Sequence, residues 1–200
     1  MSTIKKQNWI TTNELLEATK TLQMVNYFMC LAEKDSYHWK WVLIALHNTL
    51  QNFMVCALRG KDGLNLLKDS VVKKWVADGK KGSPYPNEAM DTFLNLYKKI
   101  KSNRMLINSN SKVYQPRGQQ DRSIRKLNLL RNNFIHFKPK SWHLEINGLP
   151  VLVADTVDII NFLSFTSGNI KLSKETKAEI AKASEEVLNQ LKRLEAISFN

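Results

Sequence analysis

The stretch Trp39–Leu58, "WKWVLIALHNTLQNFMVCAL", decides how the chain is organised. Leu43, Leu46 and Leu50 recur at i, i+3 and i+7, the period of one helix face and not of a strand. Ser36 offers a cap ahead of the segment and Gly60 a stop behind it, so the spacing predicts a helix from about Ser36 to Leu58. His47 and Gln51 are i, i+4 neighbours beside the leucine stripe, with Asn48 close by. Polar side chains on so apolar a helix need hydrogen-bond partners if buried. They are therefore either satisfied core residues or the wall of a cleft.

Outward from this helix the pattern stays helical. Thr11, Thr12 and Asn13 are cap candidates for a helix over 14–33, with Leu15, Leu22 and Val25 at helical spacing. Leu64, Leu67, Val71 and Trp75 mark a segment over 62–77. Gly79–Asn87, "GKKGSPYPN", is a loop by its Gly and Pro content, and Asn87 can cap a helix over 88–105. A long basic loop, 107–120, contains Pro116 and Gly118 and leads to a helix over 121–137 that Pro139 ends. Asn147-Gly148 in "WHLEINGLPVLVA" predicts a short β-hairpin over 142–153. Helices over 155–166 and 174–196 follow, the last with Ile180, Ala183, Val187, Leu191 and Leu194 on one stripe. The expected architecture is a single all-α domain, residues 1–200, of about five to seven helices with one hairpin insertion.

Composition excludes several classes. Apolar residues at 43% and charged residues at 24% describe a globular chain able to form a core. Stretches such as Trp41–Leu46 fall short of the roughly 20 residues that span a bilayer, and a cytoplasmic protein is expected. Cys30 and Cys56 lack ligand spacing and read as reduced core residues. His38, His47, His136 and His143 form no metal-binding pattern, so neither metal nor cofactor is expected; His38 and His143 read as structural or surface residues. "RGKDG" at Arg59–Gly63 is a helix stop and turn, and Asp155 and Asp158 have the spacing of an N-cap and N3 pair.

The net charge of +12 is uneven. Residues 98–140 hold twelve Lys or Arg and one acid, Asp121, and so account for nearly all of it. Such a block attracts polyanions by releasing their counterions. Inside it lies Arg131–Phe137, "RNNFIHF". With Arg131 at zero on a helical wheel, Asn132 falls near about 100 degrees and His136 near about 140, beside the stripe of Leu127, Leu130, Phe134 and Phe137.

Arginine, a polar residue and then histidine, late in a helix of an all-helical basic chain, resembles the motif of the HEPN superfamily, here Arg131, Asn132, three residues and His136. "ALHNTLQNFMVCAL" and "FIHFKPKSW" also look like uncharacterised bacterial proteins of that type. The resemblance implies a metal-independent endoribonuclease, a homodimer with one motif per protomer at a shared cleft. It implies His136 as general acid/base, Arg131 as transition-state clamp and Asn132 as positioner. The RNA, single-stranded by expectation, would be left with a 2′,3′-cyclic phosphate. Histidine suits proton transfer near neutrality, and arginine is the bidentate donor for phosphorane oxygens. Arg122, Arg125, Lys126, Lys138 and Lys140 are the expected phosphate contacts, and His47, Asn48 and Gln51 would line the same cleft. Toxins of this family silenced by adenylylation carry tyrosine two residues after the motif histidine; Lys138 stands there, against that mode of control. A toxin or phage-defence effector with a cognate antitoxin or regulatory partner is the implied setting. The rivals are a non-catalytic module that grips nucleic acid or protein, and an assembly protein joined through helices 14–33 and 174–196.

Overall fold

In the computed structural model, which describes residues 9–77, 90–136, 141 and 143–198, the Trp39–Leu58 helix is the central element. Seven α-helices are described: α1 Glu14–Ala32, α2 Trp39–Leu58, α3 Asp69–Ala77, α4 Phe93–Ile100, α5 Gln120–Ile135, α6 Leu149–Asn161 and α7 Lys174–Ser198. Helix α2 packs against α1, α4, α5 and α6, while α7 covers α1 and α6. Its leucine stripe explains this position, because Leu43, Leu46, Leu50, Phe53, Met54 and Leu58 are all fully enclosed. By length and composition Ser36–Leu58 and Leu149–Thr166 are apolar enough to cross a membrane, yet 67% and 50% of those windows are buried inside the bundle.

Local chemistry sets the helix ends. Asn13 caps α1 by accepting from the Leu16 N–H at 2.9 Å, and Glu14 and Glu17 complement the dipole of its first turn. Ser36 does not cap α2: Asp35 accepts from the Tyr37 N–H and starts a 3₁₀ turn, Ser36–His38, that runs directly into the helix. The helix expected over 88–105 is described only at Phe93–Ile100, capped by Thr92, and Ser102 caps a separate 3₁₀ turn, Asn103–Met105. The loop 79–87, its proposed cap Asn87, and Pro139 lie outside the described residues. Buried Lys99 on α4 places its Nζ 2.6 Å from the Asp91 carboxylate and 2.5 Å from the Leu67 carbonyl oxygen. It thereby fastens the segment before α4 to the residues before α3.

The expected hairpin is not formed. Residues 143–146 are irregular, Asn147 and Gly148 make a turn, and α6 begins at Leu149 with Pro150 in its first turn. Proline is at home there, since its missing N–H has no intrahelical partner in any case. Leu149, Leu152, Val153, Val157 and Ile160 then bury one helical face. Asp155 and Asp158 consequently sit inside α6, not at a helix start. The cysteine expectation is corrected as well. Both thiols are free, but Cys30 is exposed and Cys56 only half-buried.

Helix α6 continues into a π turn, Phe162–Thr166, closed by the Ser167 N–H on the Phe162 carbonyl at 2.8 Å. Beyond it Gly168 has φ +75, and a Cβ there would collide with the Asn110 carbonyl oxygen. That close approach lets Asn169 donate to the carbonyls of Ala57 and Met105, at 3.0 and 2.8 Å, and accept from Ser111. The basic loop after α4 is thus latched to the bundle.

Candidate functional site

Helix α5 carries the motif, and its inward face is pinned along its length. Ile124, Leu127 and Leu130 enter the core. Near the start, Gln120 accepts from the Tyr114 hydroxyl and, at 2.7 Å, from the Arg117 N–H; Ser123 donates to Asp155 at 2.5 Å. Midway, Asn128 meets α2: its Oδ1 lies 3.2 Å from His47 Nε2, which as N–H donates to it. Phe93 stacks on the imidazole with ring centroids 3.8 Å apart. His47 is 3% exposed. Burial lowers its pKa to about 4, the Asn128 hydrogen bond opposes the shift, and the nearby Arg131 charge adds to it. His47 is neutral at physiological pH and fills the role of a satisfied core histidine.

Arg131 follows Asn128 by three residues on α5, near enough for its charge to act on His47. It is half-buried, and its guanidinium donates to the Asn132 Oδ1 at 3.0 Å. Two hydrogen-bonded pairs, His47 with Asn128 and Arg131 with Asn132, thus lie about one turn apart along α5. His136 stands apart: it is the C-cap of α5, leaves the helix at φ -99 ψ 62, and is exposed, with its backbone N–H on the Asn132 carbonyl. Its ring makes no hydrogen bond among the described residues. Gln51 is half-buried and Asn48 exposed, and neither side chain makes a hydrogen bond among the described residues. Asn128 does not stand out in the sequence; its i+3 and i+4 relation to Arg131 and Asn132 is the available signal.

The basic block divides in two. Lys99 is spent on Asp91, Lys101 lies 2.6 Å from Asp121, and Arg104 lies 3.4 Å from Asp69, so these three serve the fold. Arg122 and Arg125 are exposed on α5. Arg122 and half-buried Lys126 border a hollow of about 450 Å³ at the start of α6, where Lys126 Nζ approaches Gly148. Lys138 and Lys140 lie outside the described residues. His38 is half-buried with Nδ1 3.2 Å from the Asp35 carbonyl oxygen, and His143 is exposed ahead of α6. No group of three or more His, Cys, Asp or Glu able to hold a metal occurs among the described residues.

The outward face of α5 completes the site. Arg122, Arg125 and Leu129 fall at i, i+3 and i+7, within about 60 degrees of one another on a helical wheel, and exposed His136 follows at the end of the helix. Leu129 is 59% exposed. The result is a cationic row interrupted by one large apolar side chain and ending in a solvent-open imidazole. Cations in such a row can hold phosphate, and histidine is a residue type able to transfer protons. No family model, curated protein or solved structure matches the chain.

Proposed function

We propose that the protein is a metal-independent endoribonuclease of HEPN type that acts on single-stranded RNA as a homodimer. The observation that carries this reading is the row on α5 that joins Arg122 and Arg125 to the exposed His136 through exposed Leu129. Within one protomer Arg131 is half-buried and bonded to Asn132 while His136 is exposed at the end of α5, with no hydrogen bond between the two. Two copies in contact through Leu129 would share one cleft, in which the Arg131 of one protomer has to extend out from the inward side of its own α5 to meet the histidine of the other. In that arrangement His136 takes the proton of a ribose 2′-hydroxyl, whose oxygen attacks the adjacent phosphorus. Arg131, oriented by the Asn132 acceptor, stabilises the charge on the phosphorane oxygens. The 5′-oxygen leaves with the proton that His136 took up, and a 2′,3′-cyclic phosphate remains. The setting this implies is a cytoplasmic toxin or phage-defence effector restrained by a partner protein.

The test is cleavage of single-stranded RNA in EDTA by the wild type, His136→Ala and Arg131→Ala, with the product ends identified. The reading requires cutting that survives EDTA and is lost in both variants while their melting curves persist. A second reading, a binding-only module, is favoured by the lack of any hydrogen bond between Arg131 and His136 and by the Arg122–Lys126 hollow. RNA that is bound but left whole by the wild type would decide for it.

A further inference from the structure

At the opposite end of α5 from His136, a cavity of about 500 Å³ opens between the loop that carries Tyr114 and Arg117 and the end of α6 with its π turn. Its size suits a small-molecule ligand, for which roughly 300–1,000 Å³ is usual. The wall is aromatic: Tyr114 and Phe162 pack with centroids 5.1 Å apart, and Phe165 borders the space with more than a third of its surface exposed. Two acceptors lie on one helix face, since Asp158 and Asn161 are i, i+3 neighbours. The Asp158 carboxylate is exposed and pairs with no Lys or Arg among the described residues. The Asn161 Oδ1 is buried without a hydrogen-bond partner among them. Lys112 and Arg117 supply positive charge at the rim. The π turn is what delivers Phe162 and Phe165 to this wall, and such turns recur at functional sites.

Aromatic faces, a carboxylate for adjacent N–H donors and rim cations for phosphate are the three requirements of a nucleotide. Among the bases, guanine presents two neighbouring donors, N1–H and N2–H, which one carboxylate accepts together. Adenine and cytosine offer an amino group beside an acceptor, and uracil a single N–H between two carbonyls. We propose that this cavity binds a guanine nucleotide, with Asp158 on the Watson–Crick edge of the base, Phe165 against its face, and Arg117 and Lys112 on the phosphate. Cleavage at the far end of α5 is not needed for it; only the origin of the nucleotide as part of an RNA strand rests on the ribonuclease reading.

The test is calorimetric titration of the full chain with GMP, AMP, CMP and UMP at fixed salt, alongside RNA hexamers with and without a single guanosine. GMP is expected to bind at least about tenfold tighter than AMP, and Asp158→Asn to erase that preference. Phe165→Ala should weaken all four nucleotides. Because Asp158 is exposed, its substitution leaves the core intact, as a melting curve checks. A guanosine-bearing hexamer that outcompetes GMP marks the site as an RNA subsite; GMP binding without gain from the strand marks it as a mononucleotide site, and both support the assignment. Equal affinity for the four nucleotides, an unaltered GMP preference in Asp158→Asn, or binding of a polyamine in place of any nucleotide overturns it. The two readings separate cleanly. GMP binding that persists in His136→Ala, with no RNA cutting by the wild type, retains the pocket and rejects the nuclease; cutting without guanine preference does the reverse.

Discussion

His47 on α2 and Asn128 on α5 meet at 3.2 Å, and this hydrogen bond joins the central helix to the helix that bears the motif. Its pH dependence follows from the depressed pKa of His47, about 4 against an ordinary 6.5. The unfolded chain takes up the proton first, so the stabilisation is complete above pH 6.5 and declines as pH falls toward 4. Urea denaturation at pH 7 and pH 4.5 should show a loss of about 2–3 kcal/mol attributable to this residue. His47→Gln should remove that part of the decline. A variant as acid-sensitive as the wild type would show that the histidine is not buried as described.

The Lys99–Asp91 pair makes a different prediction. Burial works to raise the Asp91 carboxyl, but hydrogen bonds from Lys99, Asn95 and the Thr92 N–H outweigh it and hold the group below the usual carboxylate range. Asp91→Ala leaves the buried ammonium with only the Leu67 carbonyl and the more distant Asp69 carboxylate at 3.7 Å, and should cost about 3 kcal/mol. The double change Asp91→Leu with Lys99→Met should cost less than the single one. Chemical denaturation of the three proteins checks this, and a double variant less stable than Asp91→Ala would contradict it.

Leu129 tests the assembly. Leu129→Glu places a charge at the centre of the proposed two-fold contact, and sedimentation velocity should find a dimer for the wild type and a monomer for the variant. Since the side chain is largely exposed, fold stability should change by no more than about 0.5 kcal/mol. A wild type that stays monomeric at high concentration removes the composite site.

Arg122 and Arg125 should act through phosphate alone. Replacing both with alanine should weaken single-stranded RNA binding irrespective of sequence and flatten the salt dependence of log K by about 1.4, near 0.7 for each phosphate no longer neutralised. Fluorescence anisotropy across a salt series measures this; an unchanged slope would place the RNA elsewhere.

Much of this arrangement is legible in the sequence because helix periodicity is a local signal. The stripes of α1, α2, α5 and α7 fall where Leu22, Leu46, Leu127 and Val187 place them. The expected hairpin fails for a physical reason. Asn-Gly beside a short apolar run satisfies a β-turn rule, yet such a run is equally a buried helix, and only Pro150 and the continuation to Val157 and Ile160 distinguish the two. Position on a wheel shows that Arg131 and His136 border the core but not that one is half-buried and bonded to Asn132 while the other leaves the helix at its cap. That depends on where α2 lies, which is tertiary information. The cavity at Asp158 is hidden for the same reason: its parts are distant in sequence, and a hairpin over 142–153 would put the neighbouring carboxylates at a helix start.

The π turn at Phe162–Thr166 bears on which sequence changes the protein can accept. A π turn is an α turn with one residue inserted, so deleting a single codon there would let the helix close in its ordinary form. Everything downstream would then rotate by about 100 degrees and shift by about 1.5 Å. Gly168 would no longer pass beneath Asn110, and Asn169 would be drawn away from the carbonyls of Ala57 and Met105. At this point the spacing along the chain matters more than the identity of the residues: substitutions at exposed Phe165 or Thr166 should leave the fold intact, whereas removal of either one should not.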